Sequence, residues 1–224
     1  MKTTTACAIG IATYAAGLAV GSQVIARRWR LTWGATSDEV TRTMPGDELL
    51  AEPDIVATRA IAIAAGPEQV WPWLVQLGPG RGGAYTYDWI ENLLGLDMHS
   101  ANTILPEFQS LSVGDAFTLG AKGPRMRVAI LDPERTLVFA SEDGRWVWAF
   151  GLYPATNGVR LVSRNRIAIP DATVSTRLFN WMIMEPGSWV MERKMLLGIK
   201  ERAEGRRWRS SLRSSGDRTA GCPR

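Results

Sequence analysis

Cysteine and histidine are almost missing from this sequence of 224 residues, which has two cysteines, Cys7 and Cys222, and one histidine, His99. One cysteine lies in an apolar run and the other in a polar tail, so the pair makes neither a disulfide framework nor a metal site. A single histidine excludes a His/Cys cluster, and no metal or other cofactor is expected. G-x-S-x-G, H-E-x-x-H and acid-pair signatures are missing as well. The hexapeptide GPGRGG at Gly78–Gly83 satisfies G-x-G-x-x-G literally. It follows a predicted helix instead of leaving a strand, and no Walker lysine comes after it, so it is not a dinucleotide or phosphate loop. It reads as a loop between two helices, with Arg81 placed as a gate residue able to meet an anionic head group.

Charge is scarce where nucleic-acid binding would need it. The formal net charge is +4, but residues 55–204 carry fifteen basic and fifteen acidic side chains. The excess sits at the ends: residues 1–30 hold four basic and no acidic groups, and residues 205–224 hold six basic and one acidic. A neutral middle has no electrostatic footprint for nucleic acid. Each basic end contains one copy of RRWR, at Arg27–Arg30 and Arg206–Arg209. Between the first end and the neutral block, residues 31–54 are acidic and broken by Pro45, Gly46 and Pro53, which reads as a linker wrapped over the surface.

What the sequence does have begins with Ala6–Ala26, 21 residues without a charge. That is long enough to span a bilayer, and the arginines after it place the domain in the cytoplasm. A cleaved signal peptide and a helix packed on the domain are the two alternatives. From Ile55 the pattern alternates, and Pro67 opens a short helix to Leu77. A second short helix covers Thr86–Leu94, with Trp89, Ile90, Leu93 and Leu94 apolar. Alternating runs follow at Asp115–Leu119, Arg125–Leu131, Thr136–Ser141, Arg145–Tyr153 and Val159–Ile169. Their connections are too short for crossover helices, so the sheet is antiparallel and the class is α+β. After Pro170 the pattern turns helical, over Ala172–Met184 and, beyond an interruption at Pro186-Gly187, over Ser188–Glu204. The tail from 205 lacks apolar periodicity and reads as disordered.

The inner faces carry the candidate site. Trp146, Trp148 and Phe150 share one side of their strand. In VRLVSRNRIAI, Arg160, Arg164 and Arg166 point to water, which turns Ser163 and Asn165 inward, where each needs a partner. The last helix has a stripe of Met191, Met195, Leu196, Ile199 and Ala203, with Ser188 and Glu192 in or beside it. Glu192 either pairs with an arginine or is a polar handle in an apolar pocket. Tyr87 completes the candidate lining. Arg27, Arg28 and Arg30, with Arg206, Arg207 and Arg209, are expected at a membrane surface, unless both copies are merely solvated.

The stretch from Pro67 to Leu119, PEQVWPWLVQLGPGRGGAYTYDWIENLLGLDMHSANTILPEFQSLSVGDAFTL, together with MERKMLLGIKERAE, resembles a branch of the bacterial SRPBCC proteins. These form the START-like, Bet v 1-like superfamily, and the resemblance runs from about Trp33 to Glu204. It implies a helix-grip fold, a curved antiparallel sheet wrapped round a long C-terminal helix, with the N-terminal apolar helix outside the domain. Such sheets usually have seven strands. A seventh strand is therefore missing or lies within Ser100–Gly114. The superfamily includes lipid-transfer proteins, polyketide cyclases and aromatases, hormone receptors and co-chaperones, so fold leaves function open. The expectation is a membrane-associated module that holds a lipid, isoprenoid or polyketide-like molecule. The alternatives are a cyclase/dehydrase-type enzyme using Glu192 or His99 as acid or base, and a protein-interaction module without ligand.

Overall fold

The computed structural model of the chain describes residues 23–120 and 123–216, with side chains as far as residue 205 at the C-terminal end. The apolar run before Gln23 and the side chains of the second RRWR lie outside the described residues. Among those described, no helix is long and apolar enough to cross a membrane.

Helix α1 covers residues 23–31 and the short helix α2 covers Ser37–Thr41. Strand β1, Ile55–Ile63, is followed by α3, Pro67–Val75, and α4, Asp88–Leu93. Five strands come next: β2 Ala116–Thr118, β3 Arg125–Asp132, β4 Thr136–Ser141, β5 Trp146–Ala155 and β6 Gly158–Ile167. All six expected strands are present in one antiparallel sheet, ordered β1-β6-β5-β4-β3-β2. Residues 100–114 add no seventh strand; they hold a 3-10 turn at Pro106–Phe108. Sheet and long helix together are the helix-grip arrangement.

The C-terminal helices depart from expectation at Pro186. Helix α5, Val174–Phe179, runs through a π turn at Asn180–Met184 into α6, Glu185–Gly216, without a break. A proline removes one helical N–H and crowds the carbonyl four residues back. The widened turn just before it makes room, and Glu185 N–H donates to Asn180 O, five residues back. Past the proline, α6 lays Met195, Leu196, Ile199 and Ala203 against the concave face, all buried with Phe139, Phe150 and Leu161. Its backbone stays helical to Gly216, into the tail expected to lack structure.

The convex face holds a second core, and here the outward arginines are not in water. Met44, Ala60, Val138, Ala140, Val147, Ala149 and Val162 are buried together under the acidic segment. That segment is held as a strap. Thr36 and Glu39 close a capping box on α2, and Arg160 grips the Glu39 carboxylate at 2.8 and 2.7 Å. Arg164, 3% exposed, donates to Asp47 Oδ2 (2.7 Å), Thr58 Oγ1 (3.0 Å) and the carbonyls of Glu39 (2.7 Å), Val40 (3.1 Å) and Arg42 (2.8 Å). Arg166 donates to Leu50 O and Ala51 O. An arginine can be buried when its fork of donors is fully used, and six acidic residues in the strap supply the balancing charge. Gly34 begins the strap at φ +72°, where a Cβ would sit 2.1 Å from Ala60 O.

Because the strap hangs on Arg164, Arg164→Met is expected to cost on the order of 3 kcal/mol, from stranded carbonyls and an Asp47 left with Arg166 as its ion-pair partner at 3.4 Å. Urea unfolding measures the loss. Limited proteolysis should then cut first within residues 34–51, and unchanged stability with an intact strap would contradict this account.

Candidate functional site

The concave face becomes polar at one end. Arg59 and Ser163 are register partners across β1 and β6, and Asn165 sits opposite Trp148 of β5. All three inward side chains meet Glu192 of α6. Ser163 Oγ donates to Glu192 Oε1 at 2.6 Å, and Asn165 Nδ2 lies 3.2 Å from both carboxylate oxygens. Arg59 Nη1 donates to Glu192 Oε2, and also to Ser188 Oγ at 3.3 Å. Arg59 Nε reaches the Arg30 carbonyl at 3.0 Å, which brings the first RRWR into the network. Arg59 and Ser163 are fully buried, and Asn165 and Glu192 are each 6% exposed.

Two indoles hang from the same groups. Trp146 Nε1 donates to Asn165 Oδ1 at 2.7 Å, and Trp148 Nε1 to Ser163 Oγ at 3.0 Å. The two rings stack, with centroids 5.9 Å apart and planes 18° from parallel. Tryptophan N–H groups need a partner when buried, and here the partner also fixes the ring.

Two cavities open against the sheet, one reaching the start of α6 and the other bordered by α4 and the loops beside it. The larger, about 720 Å³, is lined by Ala57, Arg59, Trp146, Asn165, Ile167 and Ser188 among others. The smaller, about 350 Å³, is lined by Leu77, Met98, Phe117, Phe139, Trp148 and Glu91 among others. Trp146, Gly123 and Pro124 line both. Arg59 Nη2 is buried without a hydrogen-bond partner. Outside the larger cavity lies a groove of about 560 Å³ between α1 and the π turn; Leu31, Ile55, Asn180 and Glu185 line both spaces.

The residues chosen from the sequence divide into three groups. Trp146, Trp148, Ser163, Asn165, Ser188 and Glu192 come together as described. Phe150, Met195 and Ile199 are completely buried in the core and fill it instead of lining either cavity. Arg81, Tyr87 and His99 lie elsewhere. Arg81 donates to Val75 O at 2.8 Å and lies over the Phe108 ring, because its loop closes on itself through Gly78 and Gly83. Tyr87 precedes α4 with its side chain turned outward, and His99 is an exposed partner of exposed Asp97.

Sequence reasoning missed two site residues. Arg59 was legible as inward, since it alternates with Ile61 and Ile63, but its link to Glu192 crosses 133 positions. Glu91 gave no such signal. Helix α4 turns Trp89, Leu93 and Leu94 to the surface and buries the carboxylate. Burial pushes the Glu91 carboxyl above its ordinary range; the Thr86 hydroxyl pulls the other way, and Asp88 adds to the rise.

Removing one member of a buried ion pair leaves the other uncompensated, so Glu192→Leu and Arg59→Met should each lose about 3–5 kcal/mol. The double variant should lose less than either single one. Urea unfolding of all four proteins gives the coupling, and additive losses would mean that the pair does not act as a unit.

No protein-family model matches the chain, and no curated protein matches it. Solved structures similar to it include a protein of Mesorhizobium loti at 18% identity and TM-score 0.42, covering 67% of this chain and 97% of that one. A Polyketide_cyc-like protein of Corynebacterium glutamicum aligns at 19% identity and TM-score 0.33, covering 67% and 87%. An AHSA1-like protein of Aeromonas hydrophila aligns at 14% identity and TM-score 0.37, covering 67% and 93%. By its own element order and antiparallel strand order, the chain has the helix-grip fold.

Proposed function

We propose that this protein binds a hydrophobic small molecule of lipid, isoprenoid or polyketide kind in the hollow between sheet and α6. The observation that carries the reading is the Trp146–Trp148 wall. Both rings are tethered by their N–H groups and half-buried, and they border open volume instead of closing it. A mostly apolar hollow with a few placed polar groups is the usual form of a small-molecule site. The unpartnered Nη2 of Arg59 offers the bound molecule's polar end a donor.

The cyclase/dehydrase alternative fares less well. Of the acid–base candidates read from the sequence only Glu192 is near the hollow, and Ser163, Asn165 and Arg59 already use its oxygens, which leaves that reading to Glu91 at the smaller cavity. General acid–base work needs a group free to exchange a proton with the substrate.

Membrane association belongs to the same proposal. Met182, Ile183 and Met184 of the π turn are each more than half exposed beside the mouth, with Val24, Ile25 and Trp29 of α1. Arg28 borders the outer groove, while Arg27 is held by Glu185 through two 2.7 Å hydrogen bonds. An apolar rim with one free arginine suits a lipid surface from which an apolar molecule enters.

Protein purified without detergent should carry a small molecule visible by native mass spectrometry. Ala57→Phe, which drives a ring into the larger cavity, should abolish that mass. A protein with no co-purifying molecule and no uptake of an apolar fluorescent probe would refute the binding reading. Full-length protein should also sediment with anionic vesicles several-fold more than the Ile183→Ser/Met184→Ser double variant; equal sedimentation would remove the membrane part alone.

A further inference from the structure

Helix α4 is built against the ordinary rule of burial. It leaves Trp89 70%, Leu93 80% and Leu94 71% exposed, yet holds Glu91 at 6%. Rotating the helix would bury apolar surface and return a carboxyl to water, so something must prevent it. Two clamps do. Asn92 Nδ2 donates to Met98 O at 2.9 Å and Asn92 Oδ1 accepts from Met98 N–H at 2.6 Å. Asp88 accepts from the backbone N–H and hydroxyl of Ser100 at 2.8 and 2.5 Å. Both clamps fix α4 on the 98–100 loop, with Glu91 against the smaller cavity.

Among the described residues, the rest of that wall contributes no titratable side chain: it consists of Leu77, Met98, Phe117, Phe139, Trp148 and similar apolar or glycine positions. Glu91 Oε2 is buried without a hydrogen-bond partner. A buried carboxyl oxygen lacking a partner costs free energy, and a ligand atom can supply what the protein does not.

We propose that the smaller cavity is a compartment with its own specificity, in which the Glu91 carboxyl donates a hydrogen bond to a carbonyl or ether oxygen on a flat, otherwise apolar molecule. The inference rests on the binding reading and adds the chemical class. A neutral carboxyl has one donor, whereas an ionised one only accepts. Burial, joined by the Asp88 charge on the same helix and opposed by Thr86, favours the neutral form, and no cation among the described lining residues offsets this. The aromatic walls suit a planar partner: Phe117 and Phe139 meet edge to face at 5.3 Å, and Trp148 lies beyond Phe139 at 6.5 Å.

Three probes of similar shape test this: 2-acetylnaphthalene, 2-isopropylnaphthalene and 1-(2-naphthyl)ethylamine, titrated calorimetrically from pH 5 to 8. The full chain should prefer the ketone to the hydrocarbon by about tenfold, the worth of one hydrogen bond to an otherwise unpaired buried group. That preference should fall as pH rises, disappear in Glu91→Leu, and persist without pH dependence in Glu91→Gln, whose amide also donates. Because the folded-state value of Glu91 is raised, the parent protein loses stability as pH climbs from the unfolded carboxyl value through the folded one. Glu91→Gln should be spared that loss, and thermal melts of both variants check that they fold. Equal binding of ketone and hydrocarbon overturns the donor role while the binding reading stands. Tightest binding by the amine overturns it in favour of a carboxylate that pairs with a cation. Failure of all three probes to bind overturns the compartment, and overturns the binding reading as well where no small molecule co-purifies.

Discussion

The contact on which the rest of the structure depends is the one between Arg59 and Glu192. A carboxylate on the buried side of α6 and a guanidinium on the inner face of β1 are each untenable alone, and pairing makes both tolerable. An apolar stripe such as Met195, Leu196 and Ile199 would accept several axial positions of the helix. A charged pair buttressed by Ser163 and Asn165 accepts one. Register decides this, since Arg59 faces Ser163 across the strands and Ala57 faces Asn165. Three donors therefore converge on one carboxylate without any long-range adjustment of the sheet. Through Arg30 O the same point also fixes the end of α1, so the mouth of the larger cavity is set by the contact that sets its back wall.

The convex face answers the same electrostatic problem with a different partner. Arg164 faces away from α6, so an acidic strap is brought to it, and backbone carbonyls take most of its donors. Both sides of β6 thus hold a buried arginine-centred network, one binding a carboxylate from α6 and the other the chain before β1. The sheet is covered twice, and the strands between can be apolar on both faces, as Trp146, Trp148 and Phe150 on one side and Val147 and Ala149 on the other show.

That double covering explains what was and was not legible in the sequence. Period-two alternation located every strand, because each strand carries its own signal. The inward turn of Ser163, Asn165 and Glu192 was legible for the same reason. The assumption that arginines mark the wet side failed at Arg164, where the strap is remote in sequence and had the composition of a linker. A second sign was present: Val147 and Ala149 are as apolar as their neighbours, which an exposed face does not require. At Pro186 the break expected from proline was absorbed by a π turn, a backbone option with no side-chain signature. Glu91 was invisible because the apolar residues of α4 point to the surface, and only the clamps from Asn92 and Asp88 reveal why.

Why the hollow stays open follows from the same constraints. Collapse would need the helix to approach the sheet, the indoles to swing into the gap, or the rim to fold inward. The ion pair holds α6 at its distance. Trp146 and Trp148 sit on β5, bonded to strands on both sides, and each has its N–H committed to a residue of β6. A tryptophan fixed at backbone and at Nε1 has no rotamer left that fills the void without abandoning a hydrogen bond, at about 1 kcal/mol or more. Larger apolar residues at Ala57, Ser163 or Asn165 would have packed the space shut. The polar network therefore does more than satisfy buried charge: it holds the stacked indoles of Trp146 and Trp148 in place, and the space they leave unfilled is the physical basis for reading this interior as a place for another molecule.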